Sequence, residues 1–290
     1  MKNIFLSLII FFWKILVSIP RRFHSKLGLR ISRLMNVFLK KRNVISKKNI
    51  DRCFANLSDK ERKNLINQNI SKSGSAVFDT GIAWFWSDHR VNKEVNFNIT
   101  GLKELKKEQD HGNGVLLFFK HSLHLELDAR LLGMNLDIYG VERNHNSRFF
   151  DKVQKAGRLR GVKDLCDKNN PLKFIKWLKS GKTVLYATDQ DYGLNGSEIV
   201  DFFNQPAATI SAPYKIIERT NCQTYFLNSY IDKNEHKIDI VKIDLDMSSS
   251  KEMSQNLNKI MEKFIRIKPA EYLWQHRRFK STLGKKDFYK

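Results

Sequence analysis

Cysteine is scarce in this chain, and the few residues present carry no pattern. Cys53, Cys166 and Cys222 are odd in number and lack the paired spacing of a zinc ribbon or a redox motif. That suits a reducing compartment better than a secreted disulfide framework. Glycine is not clustered either: Gly112-Asn113-Gly114 reads as a plain turn, and no glycine-rich phosphate loop opens a helix. There is no internal repeat, no low-complexity linker, and no helix-turn-helix, zinc or base-stacking motif of the kind a nucleic-acid binder uses. Acidic residues are the other shortage. Thirty Asp and Glu face 52 Lys and Arg, a formal charge of +22, which calls for an anionic partner: a nucleic acid, a phosphorylated lipid or an acidic protein.

Apolar runs of full membrane-spanning length are also missing. The stretch from Ile4 to Ile19 is interrupted by Ser7, Lys14 and Ser18 and ends at Pro20. As a helix it reaches about 24 Å against a hydrocarbon core of about 30 Å, so it reads as an anchor that spans with tilt or lies in the interface. No small-x-small cleavage site precedes the basic stretch, which argues against a cleaved signal peptide. Arg21, Arg22, Lys26, Arg30 and Arg33 follow, and cations favour the cytoplasmic side, so the bulk of the protein is expected there. Lys40-Lys41-Arg42 and Lys47-Lys48, interleaved with Leu34, Val37, Phe38 and Ile45, suit either a surface against anionic lipid or a solvated helix face.

What is present points to a sizeable core, since 41% of the 290 residues are hydrophobic. Ser58 with Glu61 three residues on reads as a capped helix start, and that helix is expected to run to Trp86. Trp84, Phe85 and Trp86 near its end suit core or membrane-interface packing. From Val95 onward, strands and helices alternate. Strands are predicted over 95–99, 115–119, 136–141, 183–187, 199–203, 224–230 and 237–243; helices are predicted from Leu102, after His121, toward Ala156, from Pro171, over 213–219 and over 252–267. The expected class is α/β, a mixed sheet flanked by helices.

The chain is organised around residues 114–130. An unbroken apolar run, Val115 to Phe119, ends at His121, and helical spacing of Leu123, Leu127 and Leu131 begins directly afterwards. A histidine at a strand-to-helix junction, with a carboxylate nearby, is where an α/β enzyme places a general base and the group that orients it. Five residues in a continuous helix rotate a side chain by about 140°, so His121 and Glu126 can meet only if His121 precedes the helix start. Two other readings stand beside that dyad: a surface His124/Asp128 pair at i,i+4, and a metal site using His121 and His124.

His121-x-x-x-x-Glu126 after an apolar strand resembles the HX4(D/E) motif of the late acyltransferases of lipid A biosynthesis, the lauroyl/myristoyl acyltransferase family. Arg143, Gly157-Arg158-Leu159-Arg160, Asp189-Gln190-Asp191-Tyr192-Gly193, Phe202-Phe203 with Pro206-Ala207-Ala208-Thr209, and Tyr272 to Lys280 follow in the family's order and extend the resemblance over nearly the whole chain. The departures are Ser122, Thr188 and Asn204, where the family more often has an aromatic or small apolar residue, a proline and a glycine.

The resemblance implies a glycerolipid-acyltransferase-like fold, with residues 1–20 as membrane anchor and 21–290 as the acyltransferase domain. It implies transfer of a fatty acyl chain from acyl carrier protein to a 3-hydroxyacyl hydroxyl of a phosphorylated lipid A precursor, at the inner membrane of a Gram-negative bacterium, with the catalytic domain on the cytoplasmic face. His121 would act as base and Glu126 would hold its tautomer. Arg143, Arg158 and Arg160 match positions where the family is rich in functional arginine, and Asp189 and Asp191 project from a strand end near the site. The carrier thioester is then a co-substrate, and no cofactor, metal or nucleic acid is expected. A glycerolipid acyltransferase, or a membrane-tethered nucleic-acid binder resting on charge alone, are the alternatives. The aromatic and basic stretch around Trp274 and Arg277 is expected to touch lipid or brace the site, and His276 has no evident carboxylate partner.

Overall fold

The structure, a computed structural model, describes residues 2–38, 40–143 and 147–290. Helix α1 (Lys2–Ser18) stops just before Pro20, and α2 (His24–Phe38) leaves at a sharp angle. Among the described residues no single helix is long and apolar enough to cross a membrane. Ile4–Ser18 and Arg21–Leu34 qualify as a pair, bent by 99°. One face of α1 is buried through Trp13 and Val17, while Phe5, Leu8, Phe11, Phe12 and Ile15 stand exposed on the other. An apolar outer face of this kind is what a lipid-seated helix presents.

Helices α3 (Lys40–Cys53), α4 (Asp59–Ser73) and α5 (Ala76–Phe85) follow. The predicted cap at Ser58 is formed as a full capping box with Glu61. The continuous helix expected over 58–86 is instead two helices broken at Gly74 and Ser75. A Cβ on Gly74 would lie 2.1 Å from the Gly28 carbonyl oxygen, so α2 crosses against bare backbone there. α5 packs on α1, with the Trp13 ring edge-on to both Trp84 and Phe85. Trp84 and Trp86 are therefore core residues, 5% and 4% exposed.

After α6 (Asp88–Glu94) the alternation begins: β1 (Phe97–Thr100), α7 (Leu102–Asp110), β2 (Val115–Phe119), α8 (Leu125–Gly133), β3 (Ile138–Glu142), α9 (Arg148–Arg158), β4 (Asp164–Asp167), α10 (Pro171–Lys179) and β5 (Thr183–Ala187). Then come the hairpin β6 (Ser197–Phe202) and β7 (Gln205–Ile210), α11 (Ala212–Thr220), β8 (Gln223–Asp232), β9 (Glu235–Lys242) and α12 (Ser250–Ile267). The seven-stranded sheet runs β1-β9-β8-β2-β5-β3-β4, parallel except for the β8/β9 hairpin, and is the mixed α/β sheet expected.

Two strands were not legible beforehand. β4, Asp-Leu-Cys-Asp, is a short edge strand without an apolar run. β7 carries Pro206 and follows a two-residue turn at Phe203 and Asn204, both at positive φ (52° and 57°), where a glycine or Asn-Gly signal would ordinarily announce a hairpin.

Strand β2 is fully buried and central. Leu116 and Phe118 join the core on one face of the sheet; Val115, Leu117 and Phe119 join the core on the other. Burying each such side chain is worth about 1.5–3 kcal/mol, which fixes the strand's register and the position of whatever follows its end.

Candidate active site

The chain leaves β2 through Lys120, whose side chain turns inward and donates to the Ser229 carbonyl at 2.7 Å. His121 comes next, and α8 does not begin until Leu125, with His124 in the cap position. His121 thus precedes the helix start, the condition its catalytic use required. A carboxy-terminal strap fixes this turn: the Leu273 N–H donates to the His121 carbonyl at 2.9 Å, and the Leu123 N–H donates to the Glu271 carbonyl at 2.8 Å. Asn69 and Asn49 hold the strap in turn, by donating to the carbonyls of Ala270, Tyr272, Trp274 and His276.

The group that orients His121 is Asp189. β2 and β5 are parallel neighbours with Phe119 opposite Ala187, so the residues two steps beyond, His121 and Asp189, emerge side by side. His121 Nδ1 donates to Asp189 Oδ1 at 2.6 Å, and the His121 backbone N–H donates to Oδ2 at 2.8 Å. The Tyr272 hydroxyl adds a third donor. Burial alone would raise the Asp189 carboxyl, but the His121 charge and these hydrogen bonds outweigh it and hold it at about 2. With Nδ1 committed, Nε2 is the ring nitrogen without a partner among the described residues, and the imidazole lines a cavity of about 690 Å³.

Glu126 lines the same cavity but faces other partners, which corrects the expectation that it holds the His121 tautomer. The Trp84 indole N–H donates to Glu126 Oε2 at 2.9 Å, and Arg158 Nε donates to Oε1 at 3.0 Å. Arg158 Nη1 reaches Glu142 at 2.7 Å, so one guanidinium bridges two carboxylates and its pKa is raised well beyond its usual range despite burial. The physical reason is rotation: on the first turn of α8 Glu126 points toward α5 and α9, whereas the His121 ring turns toward β5. α9 comes close because Gly157 has no side chain; a Cβ there would lie 2.3 Å from the Trp84 ring.

Arg143, exposed at the end of β3, lines the cavity as well. Arg160 does not: it donates to the Trp86 carbonyl at 2.7 Å, outside the cavity. Asp189 sits behind the imidazole, 1% exposed, and so acts on His121. Asp191, equally buried, accepts from the Ser281 and Gly193 backbone N–H groups at 2.8 and 2.9 Å and pins the carboxy-terminal segment. His276 accepts from the Asp191 N–H at 3.0 Å through Nε2, and burial lowers its pKa to about 4, so it is neutral and structural.

The rival pair His124/Asp128 is not on the surface. Its side chains are 3% and 2% exposed and 4.0 Å apart, and Asp128 accepts from the hydroxyls of Ser122 and Ser229 at 2.8 and 2.6 Å. His121 and His124 point to different carboxylates, Asp189 for one and Asp128 with Glu271 for the other, which separates the two rings of the proposed metal pair. Trp84 and Glu142 are the site residues that sequence reasoning did not assign, whereas Tyr272 lies in the stretch expected to touch lipid or brace the site. The β2/β5 register would have set Asp189 beside His121, had the sheet order been known.

Beyond His121 the cavity wall turns aliphatic, through Leu125, Ala129, Val162, Leu165 and Leu185. Trp84, which lines it, also touches Trp13 of α1, so the cavity lies beside the helix whose outer face is apolar and exposed. Such a cleft, with an open imidazole and a wall that joins an aliphatic stretch to charged and amide groups, suits an enzyme that works on amphipathic lipids. Residues 1–281 match the family described as bacterial lipid A biosynthesis acyltransferase, and the chain belongs to that family. It is an O-acyltransferase. The lipid A biosynthesis palmitoleoyltransferase of Escherichia coli (strain K12) is 34% identical, over 94% of this chain and 90% of its own length. The lauroyltransferase of the same organism is 31% identical, over 92% and 88%. The myristoyltransferase is 22% identical, over 88% and 80%. The first two bear different acyl names at nearly equal identity, so identity does not select a chain length here.

Proposed function

We propose that the protein transfers a fatty acyl chain from the thioester of acyl carrier protein to a hydroxyl on a 3-hydroxyacyl chain of a phosphorylated lipid A precursor. His121 Nε2 removes the hydroxyl proton as the oxygen attacks the thioester carbonyl. The new C–O bond forms, the C–S bond breaks, and the imidazolium returns its proton to the departing thiolate, so the balance closes without another reactant. Asp189 keeps Nδ1 protonated and favours the imidazolium, as a buried carboxylate does in a serine-protease triad. General-base help of this kind is worth about 10² to 10⁴ in rate, and positioning supplies the rest. The single observation that carries the reading is the His121–Asp189 contact with Nε2 left open on the cavity.

Ser122, the nearest hydroxyl in sequence, is buried and donates to Asp128, which favours direct transfer over a covalent enzyme intermediate. Glu126 and Arg158 would act as a fixed polar wall on which substrate is positioned, with Arg143 at the rim. The cations following α1 favour a catalytic domain on the cytoplasmic face of the inner membrane of a Gram-negative cell. The test is mass spectrometry of lipid A from cells lacking the gene, complemented with wild type or His121→Ala. Wild type restores one acyl chain and the variant does not. Transfer of that chain to glycerol phosphate in vitro, with lipid A unchanged, would replace this reading by a glycerolipid acyltransferase.

A further inference from the structure

The cavity has a second polar end that the chemistry at His121 does not use. Along the carboxyl edge of the sheet the strands run β2, β5, β3, β4, so the cavity extends from His121 after β2 to Lys168 after β4. Neighbouring strands lie about 4.8 Å apart, so three steps put Lys168 roughly 14 Å from the strand that bears the base. The Lys168 backbone N–H donates to the Glu142 carbonyl at 2.8 Å, which sets Lys168 beside Arg143 across the β3/β4 edge.

Both cations are exposed, both line the cavity, and neither has a carboxylate partner among the described residues. Arg158, by contrast, is saturated by two. The Lys168 ammonium is held over the Tyr192 ring, 4.7 Å from its centroid, and Arg143 and Tyr192 line the same cavity. The wall also carries the carboxamides of Asn169, next to Lys168 after β4, and of Gln190 after β5.

We propose that Lys168 and Arg143, braced by Tyr192, bind the phosphate ester at the far end of the acyl donor's phosphopantetheine arm. This rests on the acyl-carrier reading above. The arm has a thioester at one end, two amides along its length and a phosphodiester at the other. Its 14 or so bonds span roughly 16 Å when extended, at the reach per bond of an extended chain. A thioester at His121 then brings the phosphodiester to Lys168, with the amides beside Asn169 and Gln190. A phosphate on the acceptor lipid offers the same chemistry, and the test separates the two.

The experiment is inhibition of acyl transfer by 4′-phosphopantetheine and by pantetheine, with full-length enzyme, acyl carrier thioester as donor and the lipid A precursor as acceptor. In wild type the phosphorylated compound should compete with the donor at a concentration at least tenfold lower than pantetheine, the scale of a charge-assisted hydrogen bond. Lys168→Ala should erase that difference, and Lys168→Arg should keep it. Equal inhibition by the two compounds in wild type, no inhibition by either, or a preference that survives Lys168→Ala would overturn the proposal. Competition against the lipid acceptor would overturn it too, and would assign the cations to a lipid phosphate. Absence of transfer from the carrier thioester in wild type would instead remove the underlying function, a separate result.

Discussion

Replacing Asp189 by asparagine is the most searching perturbation of the site, because it changes charge and proton pattern while keeping shape. Asp189 accepts from the His121 backbone N–H, from His121 Nδ1 and from the Tyr272 hydroxyl. An amide has one acceptor oxygen and an NH2 group. If the oxygen stays on the backbone N–H, the NH2 faces Nδ1, which must become an acceptor; the ring proton then moves to Nε2, and the base is lost. If the oxygen stays on Nδ1, the NH2 meets the backbone donor, and the turn must shift.

Loss of the correct tautomer in a comparable arrangement costs about 10⁴ in rate, near 5 kcal/mol of barrier. Asp189→Asn should therefore lower the initial rate of transfer from labelled carrier thioester to the lipid acceptor by about 10³ to 10⁴ at neutral pH. The stability consequence has a definite sign. A carboxyl held at about 2, below its ordinary 3.8, adds stability that is present above 3.8 and is lost as pH falls through 2. The variant should be less stable than wild type by about 2 kcal/mol at pH 6, and the gap should close in acid. A folded Asp189→Asn enzyme within tenfold of the wild-type rate would refute the argument, above all if Glu126→Gln showed the four-order loss in its place.

Four further expectations follow from particular contacts. His121→Ala should abolish transfer while vesicle binding, which depends on α1 and the basic helices, persists; retained turnover would remove the base. Glu126→Ala leaves Arg158 with Glu142 alone, and breaking such a pair costs about 3 kcal/mol, so both melting temperature and activity should fall; an unchanged melting temperature would mean the bridge is idle. Gly157→Ala places a methyl against the Trp84 ring at 2.3 Å and should destabilise by about 1–3 kcal/mol in denaturant melts; wild-type stability would show that α9 can move away freely. Lys120 is buried, and burial lowers its pKa to about 8. It costs folding energy below pH 8 that is relieved as pH rises toward 10.5, so the stability of wild type relative to Lys120→Met should improve by about 3 kcal/mol between pH 7.5 and 10.5, and a flat difference would contradict the burial.

Local chemistry wrote much of this protein into its sequence. The short hydrophobic first helix with its basic flank, the capping box at Ser58, the wholly apolar β2 and the placement of His121 at its end were all readable, because each depends on residues a few positions apart. The broken helix at Gly74 was not, since the cause is Gly28 on another helix, and β7 was hidden by a turn whose Phe203 is held at positive φ within a buried aromatic cluster. The same division runs through the site. Spacing allowed His121 and Glu126 to meet and the family resemblance added Arg158, but only the order of strands decided which carboxylate touches the imidazole. Glu126 lies five residues away and turns with α8 to Arg158, while Asp189 lies 68 residues away and arrives in register because β5 pairs with β2. Sequence fixes the rotation of a side chain about its own helix or strand; which elements become neighbours is settled by burial over the whole chain, and the partner of the base follows from that.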